Sequence, residues 1–311
     1  MQYLVTGAAG FIGSHLCEAL LDGGATVRGI DNFAPHYARE RKERNLAALR
    51  SRPAFTLHEA DLAQAALEPL VDGCDAVFHL AARPGVRDSW TAFDDYVHAN
   101  VTATKALLDA CAGRAVRVVY ASSSSVYGNA TDLPVTEAAP LVPISPYGAT
   151  KVMTETLAGA YAASYGLAAV GLRYFSVYGP RQRPDMGIER FIEAGLAGRP
   201  ITVFGDGRQL RDFTYVGDVV RGTIAALDAR PGAVYNIASG RPAALLDVLA
   251  LLEQGLGQPL DVRLETAAIG DVRDTHGSTA LAEAELGFAA ETELRDGLAA
   301  QIAEHAAREA A

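Results

Sequence analysis

Through the first half of the chain, short runs of β-branched and aromatic residues alternate with longer stretches whose apolar positions recur at spacings of three and four. The short runs predict strands at Gln2–Thr6, Thr26–Ile30, Phe55–His58, Ala76–His79, Val116–Ala121 and Ala168–Leu172. The longer stretches predict helices at Phe11–Leu21, Arg39–Leu49, Asp94–Ala112 and Pro146–Tyr165. That order is the order of βαβ units, each crossover helix covering one face of a sheet, so the expected class is α/β with a doubly wound parallel sheet of Rossmann type. Beyond Tyr174 the rhythm breaks into turns such as Gly179-Pro180-Arg181 and Gly205-Asp206-Gly207, the mark of a smaller C-terminal lobe. Tyr215–Asp228 and Ala233–Ile237 predict a helix and strand returning to the main sheet, and Ala243–Gly255 and Ala280–Leu286 predict further helices. Residues 1–173 plus about 214–238 thus form one expected domain, and about 174–213 plus 239–311 the other. The Ala- and Glu-rich tail, Glu291–Ala311, reads as a solvated helix.

Composition narrows the class. Half of the 311 residues are hydrophobic and 21% are charged, which fits a soluble globular chain and excludes a disordered one. No apolar run approaches the roughly 18 residues of a membrane span. Asp plus Glu at 37 outnumber Lys plus Arg at 27, a net charge of −10, so neither nucleic acid nor an anionic membrane is an expected partner. The cysteines, Cys17, Cys74 and Cys111, are odd in number and lack metal or redox spacing, which points to a reducing, cytoplasmic compartment and no metal. The residues at the N-terminus show no basic region leading into a long apolar one, and no secretory leader is expected.

Directly after the first predicted strand comes Thr6-Gly7-Ala8-Ala9-Gly10-Phe11-Ile12-Gly13, running into a helix. Gly7 allows a tight turn, Gly10 lets backbone approach a pyrophosphate, and Gly13 lets helix and strand pack closely, while free amides at Phe11 and Ile12 hold negative charge. Asp31-Asn32 closes the second strand, where a carboxylate accepts hydrogen bonds from both ribose hydroxyls of an adenosine. A ribose 2′-phosphate would meet like charge there, which favours NAD over NADP, although Arg28, Arg39 and Arg41 stand close in sequence. Asp61-Leu62 follows the third strand and suits the adenine edge, with a helix cap as the plainer role for Asp61. Leu80, Ala81 and Ala82 end the fourth strand with room for a cofactor, and His79 reads as structural.

Tyr147 and Lys151 stand four apart at the start of a helix, so both side chains share one face. An unperturbed phenol is a poor base at neutral pH, but a neighbouring ammonium and an oxidised nicotinamide ring both favour phenolate. Ser122-Ser123-Ser124-Ser125-Val126-Tyr127-Gly128 ends the fifth strand, where a doubly wound sheet opens its crevice and a hydroxyl can bond a reacting oxygen.

With these motifs the chain resembles the extended short-chain dehydrogenase/reductases, specifically the nucleotide-sugar epimerases and dehydratases. The resemblance runs nearly end to end and takes in Asn100-Val101, Tyr147-Gly148-Ala149-Thr150-Lys151, Arg173-Tyr174-Phe175, Val177-Tyr178-Gly179-Pro180, Arg211-Asp212-Phe213 and Val216–Val219. It implies that Tyr147 is the base, that Lys151 lowers its pKa and holds the nicotinamide ribose, and that Ser123, counted back from Val126-Tyr127-Gly128, is the catalytic hydroxyl. Ser122 and Ser124 stay open as stand-ins, and Ser122 and Tyr174 join the implied cofactor contacts. Dehydratases place an Asp-Glu pair after the catalytic hydroxyl and decarboxylating relatives a Glu, whereas this chain has Ser124 and Ser125. Transient oxidation at the sugar 4-position, giving a 4-epimer through a 4-keto state with no net redox change, is the implied reaction.

Ser176, where many relatives carry Asn, and Arg183, seven residues later, resemble the UDP-glucuronate 4-epimerases, because a guanidinium can grip a sugar carboxylate in a bidentate pair. The expected activity is therefore UDP-glucuronate to UDP-galacturonate. A UDP-glucose/UDP-galactose 4-epimerase is the alternative, and an idle dinucleotide-binding sensor or scaffold the alternative of another class. Arg211 resembles the family's diphosphate clamp, and Val203 lies in Ile201–Gly205, where relatives enclose uracil. Arg273 is the candidate replacement for an Arg that many relatives carry where this chain has Ala268, and Arg87 either faces the sugar or is a surface charge. The resemblance also implies a homodimer, paired through the helices at Asp94–Ala112 and Pro146–Tyr165.

Overall fold

The computed structural model describes residues 1–266 and 272–309. The first half alternates as its sequence pattern requires: β1 (Gln2–Thr6), α1 (Phe11–Asp22), β2 (Thr26–Asp31), α2 (Arg39–Arg50), β3 (Phe55–Glu59), α3 (Glu68–Val71), β4 (Ala76–His79), α4 (Phe93–Tyr96), α5 (Ala103–Cys111), β5 (Arg117–Ser123), α6 (Pro146–Tyr165) and β6 (Ala168–Tyr174). Then come β7 (Ser176–Tyr178), α7 (Gly187–Leu196), β8 (Ile201–Phe204), β9 (Leu210–Arg211), β10 (Phe213–Tyr215), α8 (Val216–Ala225), β11 (Val234–Ile237), β12 (Ala243–Ala244), α9 (Leu245–Leu256), β13 (Val262–Glu265), α10 (Ala280–Leu286) and α11 (Leu294–Glu309).

Seven strands form the main sheet in the order β11-β6-β5-β4-β1-β2-β3, all parallel. The chain winds outward from β1 in one direction and from β4 in the other, so the crevice of a doubly wound fold opens between their C-terminal ends. Neighbouring residues serve opposite faces: Val5 and Phe78 pack with α1 and α8 residues such as Leu16, Leu20 and Val219, while Leu4 and Val77 pack with Leu107 and Leu108 of α5 and Val71 of α3. With both faces covered, the strands carry the unbroken apolar runs that made them legible.

One expected helix is not continuous. Between α4 and α5 the backbone widens into π-type turns at Val97–Thr102, where the buried Asn100 faces inward. Asn100 Oδ1 accepts from Arg83 N at 2.7 Å, and Nδ2 donates to Arg83 O and Thr150 Oγ1, each at 3.0 Å. The helical period remains in the sequence, but these polar bonds reset its pitch.

The later elements include three two-stranded sheets, β10 with β7, β12 with β9 and β13 with β8. A separate apolar cluster joins Ile188, Phe191 and Ile192 of α7, Ile201 and Val203 of β8, Val248, Leu249 and Leu252 of α9, and Leu298 of α11. The tail is not the solvated helix its composition suggests. Leu298, Gln301 and His305 of α11 are buried, Gln301 Oε1 accepts from Gly179 N at 3.0 Å, and Gln301 Nε2 donates to Gln182 Oε1 and Glu189 Oε2, each at 2.9 Å. Because the buried face is largely polar, an apolar period does not reveal it. None of the described helices is long and apolar enough to cross a membrane.

Candidate active site

The turn after β1 is a backbone cradle. Gly7 has φ +71°, and a Cβ there would sit 3.0 Å from the Ala81 backbone. A Cβ on Gly13 would come within 2.1 Å of Gly7 O, so the helix begins against the strand with no side chain between them. Phe11 is buried in the core, leaving its amide, with that of Ile12, as the group that helix α1 offers to an anion. Thr6 Oγ1 accepts from Leu80 N at 3.1 Å and Ala81 N at 3.0 Å, which pins β4's end to the turn. His79, between Thr6 Oγ1 at 2.8 Å and Thr104 Oγ1 at 2.9 Å, is drawn by burial to a pKa of about 3 and stays neutral, as its structural reading requires.

Asp31 is buried at the end of β2 and already well satisfied. Its Oδ2 accepts from Ala9 N at 3.2 Å, and its Oδ1 from Phe33 N at 2.8 Å and Lys42 Nζ at 3.0 Å. Lys42 is a partner that sequence reading missed, since it lies on the inner face of a highly charged helix. Arg28, Arg39 and Arg41 are engaged elsewhere: Arg28 on the carbonyls of Leu70 and Asp72, Arg39 on Glu59, and Arg41 on Glu189 and Glu193. Asn32 Oδ1 caps Ala34 N at 3.0 Å. Asp61 Oδ1 accepts from Ala63 N at 2.8 Å, and its Oδ2 meets His98 Nε2 at 2.9 Å. Burial raises the Asp61 carboxyl, but the His98 and Ala63 bonds outweigh it and lower the pKa. Leu62 is buried, and Ala82 is half-buried near the crevice. Bare backbone at the turn, small residues at β4's end and a carboxylate at β2's end together fit a dinucleotide.

Helix α6 begins with Ser145 as its cap, whose Oγ accepts from Gly148 N at 3.1 Å. Tyr147 lies in the first turn and Lys151 one turn further on, so they share a face, as expected. Burial pushes the Tyr147 phenol up, opposed by the Ser123 hydroxyl and by the charge of Arg183. Lys151 Nζ donates to Ala121 O at 2.9 Å, and burial lowers its pKa to about 8. The Lys151 ammonium is thus anchored on a strand carbonyl, one helical turn beyond Tyr147. Ser123 Oγ also donates to Ser125 Oγ at 3.1 Å and accepts from Ser125 N at 3.2 Å. Ser122 is no stand-in, because its hydroxyl donates to Glu155 Oε1 at 2.5 Å, beside the Arg173–Glu155 pair.

Beside these residues, Ser124, Ser125, Ser176 and Arg211 line one cleft of about 190 Å³ with Ser145 and Thr275. Arg211 donates to the carbonyls of Leu210 at 2.9 Å, Arg273 at 2.6 Å and Val272 at 2.7 Å. Asp212, next to it and fully buried, accepts from Ser239 N and Oγ, both at 2.7 Å, and from Gly240 N and Gly277 N. The Arg-Asp-Phe motif thus contains an anchor that sequence reading did not single out. Arg183 lines a second cavity, with Tyr37, Arg41, Arg181 and Arg308.

Three expected side-chain contacts are not placed as anticipated, and a fourth, Arg87, is exposed, as one of its two readings requires. The Tyr174 side chain is buried, its hydroxyl 2.7 Å from Thr223 Oγ1, so only its backbone is available to a ligand. Val203 is 1% exposed within the lobe's core and its strand pairs with β13, again leaving backbone alone. The Arg273 side chain is 81% exposed, and its carbonyl rather than its charge meets Arg211. Arg87 lays its guanidinium 4.1 Å above the Phe204 ring, joining the segment beyond β4 to β8. Ala268 lies outside the described residues.

A doubly wound sheet with a glycine cradle, a serine at the end of β5, and a tyrosine and lysine one turn apart on α6, define a dinucleotide-dependent enzyme that works on a hydroxyl-bearing substrate. Residues 3–238 match the NAD dependent epimerase/dehydratase family, and the chain belongs to it. It is 43% identical over 309 residues, 97% of each chain, to a Bacillus subtilis (strain 168) protein described as an uncharacterized UDP-glucose epimerase, YtcB. It is 38% identical to the UDP-glucuronate 4-epimerase of Thermodesulfobacterium geofontis (strain OPF15), covering 95% of this chain and 93% of that one. Among solved structures, the UDP-glucuronic acid 4-epimerase of Bacillus cereus in complex with UDP-glucuronic acid and NAD superposes with a TM-score of 0.96 at 40% identity, covering 99% of this chain and 100% of that one.

Proposed function

We propose that this protein is an NAD-dependent isomerase that interconverts UDP-glucuronate and UDP-galacturonate by epimerisation at C4. The observation that carries the reading is the superposition on a UDP-glucuronic acid 4-epimerase bound to UDP-glucuronic acid and NAD, at a TM-score of 0.96 over 99% of this chain. It is supported by Ser123 at the end of β5, Tyr147 at the start of α6 and Arg183 before α7. The hydroxyl and phenol address a sugar C–OH, and the arginine addresses a carboxylate. Ser124 and Ser125 offer no carboxylic acid to assist elimination of water.

Gly7, Gly10, Phe11, Ile12 and Gly13 would hold the cofactor's pyrophosphate, Asp31 and Asn32 its adenosine ribose, and Asp61 and Leu62 its adenine. The segment Leu80–Ala82, with Lys151 and the backbone of Ser122 and Tyr174, would border the nicotinamide ribose. NAD, when bound, supplies the acceptor and donor for the hydrogen on C4. Tyr147 Oη takes the proton of the sugar 4-hydroxyl in one half of the reaction and returns it in the other, while Ser123 Oγ donates to the same oxygen. Arg211 faces the diphosphate, Ser124, Ser125 and Ser176 bond the sugar, and Arg183 grips its carboxylate, with Arg87 and Phe204 at the uridine side. The sheet of residues 1–173 and 214–238 carries the cofactor, and the remainder carries the sugar nucleotide. The exposed Met153 and Tyr165 of α6 lie on the surface through which two copies pair, and the three buried thiols suit a reducing, cytoplasmic setting.

The likeness to a protein described as a UDP-glucose epimerase supports a second reading, the UDP-glucose/UDP-galactose reaction, in which Arg183 has no carboxylate to meet. Competition between the two sugars separates them. The first reading expects UDP-glucuronate to be epimerised faster at equal concentration, and equal or slower turnover than UDP-glucose rejects it.

A further inference from the structure

Arg183 stands on the turn between β7 and α7, and its guanidinium carries five N–H donors in a flat fork. Its hydrogen bonds converge on one neighbour: Nε donates to Asp185 Oδ1 at 3.0 Å and Nη2 to Asp185 Oδ2 at 2.9 Å. This is a bidentate grip along one edge of the fork, and it leaves the Nη1 edge for a second carboxylate. Asp185 is fixed in its turn. Met186 N donates to Arg183 O at 3.1 Å, folding the segment back on itself, and His36 Nε2, from the loop beyond β2, lies 3.6 Å from Asp185 Oδ2. Burial pushes the Asp185 carboxyl up, but His36 and Arg183 together outweigh it and hold it below the usual carboxylate range. The arginine side chain is only 17% exposed, so it has little freedom to reorient.

We infer that Asp185 is a positioning residue for substrate choice: it holds the Arg183 guanidinium by one edge so that the other edge meets the sugar carboxylate beside Tyr147. The inference rests on the UDP-glucuronate reading. A loose arginine must give up rotamer freedom each time it grips an anion, whereas one already clamped does not. The opposing effect is repulsion between the Asp185 and sugar carboxylates, and the bidentate geometry decides against it, because the Asp185 charge is spent on the far edge of the fork.

The test uses the NAD-loaded enzyme with Asp185→Asn, Arg183→Met and the double variant, reading the KM and kcat for UDP-glucuronate, inhibition by UDP, and retained NAD. Asp185→Asn is expected to raise the KM for UDP-glucuronate roughly tenfold, the worth of one hydrogen bond to a charged group. Inhibition by UDP, which has no sugar carboxylate, is expected to stay within about twofold, and adding Asp185→Asn to Arg183→Met is expected to cost nothing further. An unchanged or lowered KM in Asp185→Asn, with a raised KM in Arg183→Met, overturns the positioning role and leaves the uronate reading standing. Joint loss of NAD and UDP binding in Asp185→Asn makes the residue a structural one and also overturns it. A wild-type enzyme that does not favour UDP-glucuronate over UDP-glucose removes both the reading and the inference.

Discussion

The cradle proposed for the cofactor's pyrophosphate is one continuous stretch, Thr6–Gly13, with Asp31 supplied by the next strand. The proposed sugar side instead draws on Ser124 and Ser125 after β5, Ser176 on β7, Arg211 on β9 and Thr275 near α10, which line one cleft, and on Arg183 before α7, which lines another. The first is held by backbone geometry, the second by buried polar bonds among segments far apart in sequence, such as Asp212 with Ser239, Gly240 and Gly277. A local turn is robust to what happens elsewhere, whereas an assembled cleft depends on every anchor that holds its parts.

The strongest break between chemistry and scaffold is Tyr147→Phe. It removes the proton-transferring oxygen and leaves the cradle intact, so turnover should fall by about 10²- to 10⁴-fold while NAD stays bound, as measured by turnover and by the dinucleotide released on denaturation. Gly13→Ala breaks the local side. Its Cβ would meet Gly7 O at 2.1 Å, and a cost on the order of 3 kcal/mol should appear as a lowered Tm with loss of NAD.

Glu189 probes the assembled side. Its carboxylate is fully buried among His305 Nε2 at 3.0 Å, Gln301 Nε2 at 2.9 Å, Arg41 and Arg308. Burial raises its pKa, but His305, Gln301 and Arg308 outweigh that and bring it from 4.5 to about 2. A carboxyl depressed by folding contributes stability that is present above pH 4.5 and lost as the pH falls towards 2. Glu189→Gln should therefore lower stability at neutral pH by roughly 3 kcal/mol and flatten the acid limb of a denaturation series between those values. The smallest effect belongs to Ser122→Ala. Glu155 keeps both bonds from Arg173, so about 1 kcal/mol of stability and little turnover should be lost, whereas Ser123→Ala should cost roughly 10²-fold in rate.

The same contrast governs what could be read from the sequence. Gln2–Thr6, Ala76–His79, Pro146–Tyr165 and Ala280–Leu286 match their expected bounds, because their apolar patterns or end signals are local. The glycine turn and the four-residue spacing of Tyr147 and Lys151 on α6 are local in the same way, whereas Ser123 is singled out among four serines only by the family resemblance. Strands β7, β9, β10 and β12 hold only two or three residues, too short for a period to register. Lys42, Asn100, Asp212 and Gln301 are polar residues buried by partners distant in sequence, and composition marks such residues as surface until their partners are seen. Tyr174 and Val203 show the converse: their motifs are local, but the direction of each side chain depends on Thr223 and on the core around β8.

The most direct measurement follows UDP-glucuronate carrying deuterium at C4 through turnover by the NAD-loaded protein. The account predicts UDP-galacturonate that keeps the deuterium at C4, with no net change in the redox state of the cofactor. Washout of the label into solvent, or the absence of the 4-epimer, would contradict it.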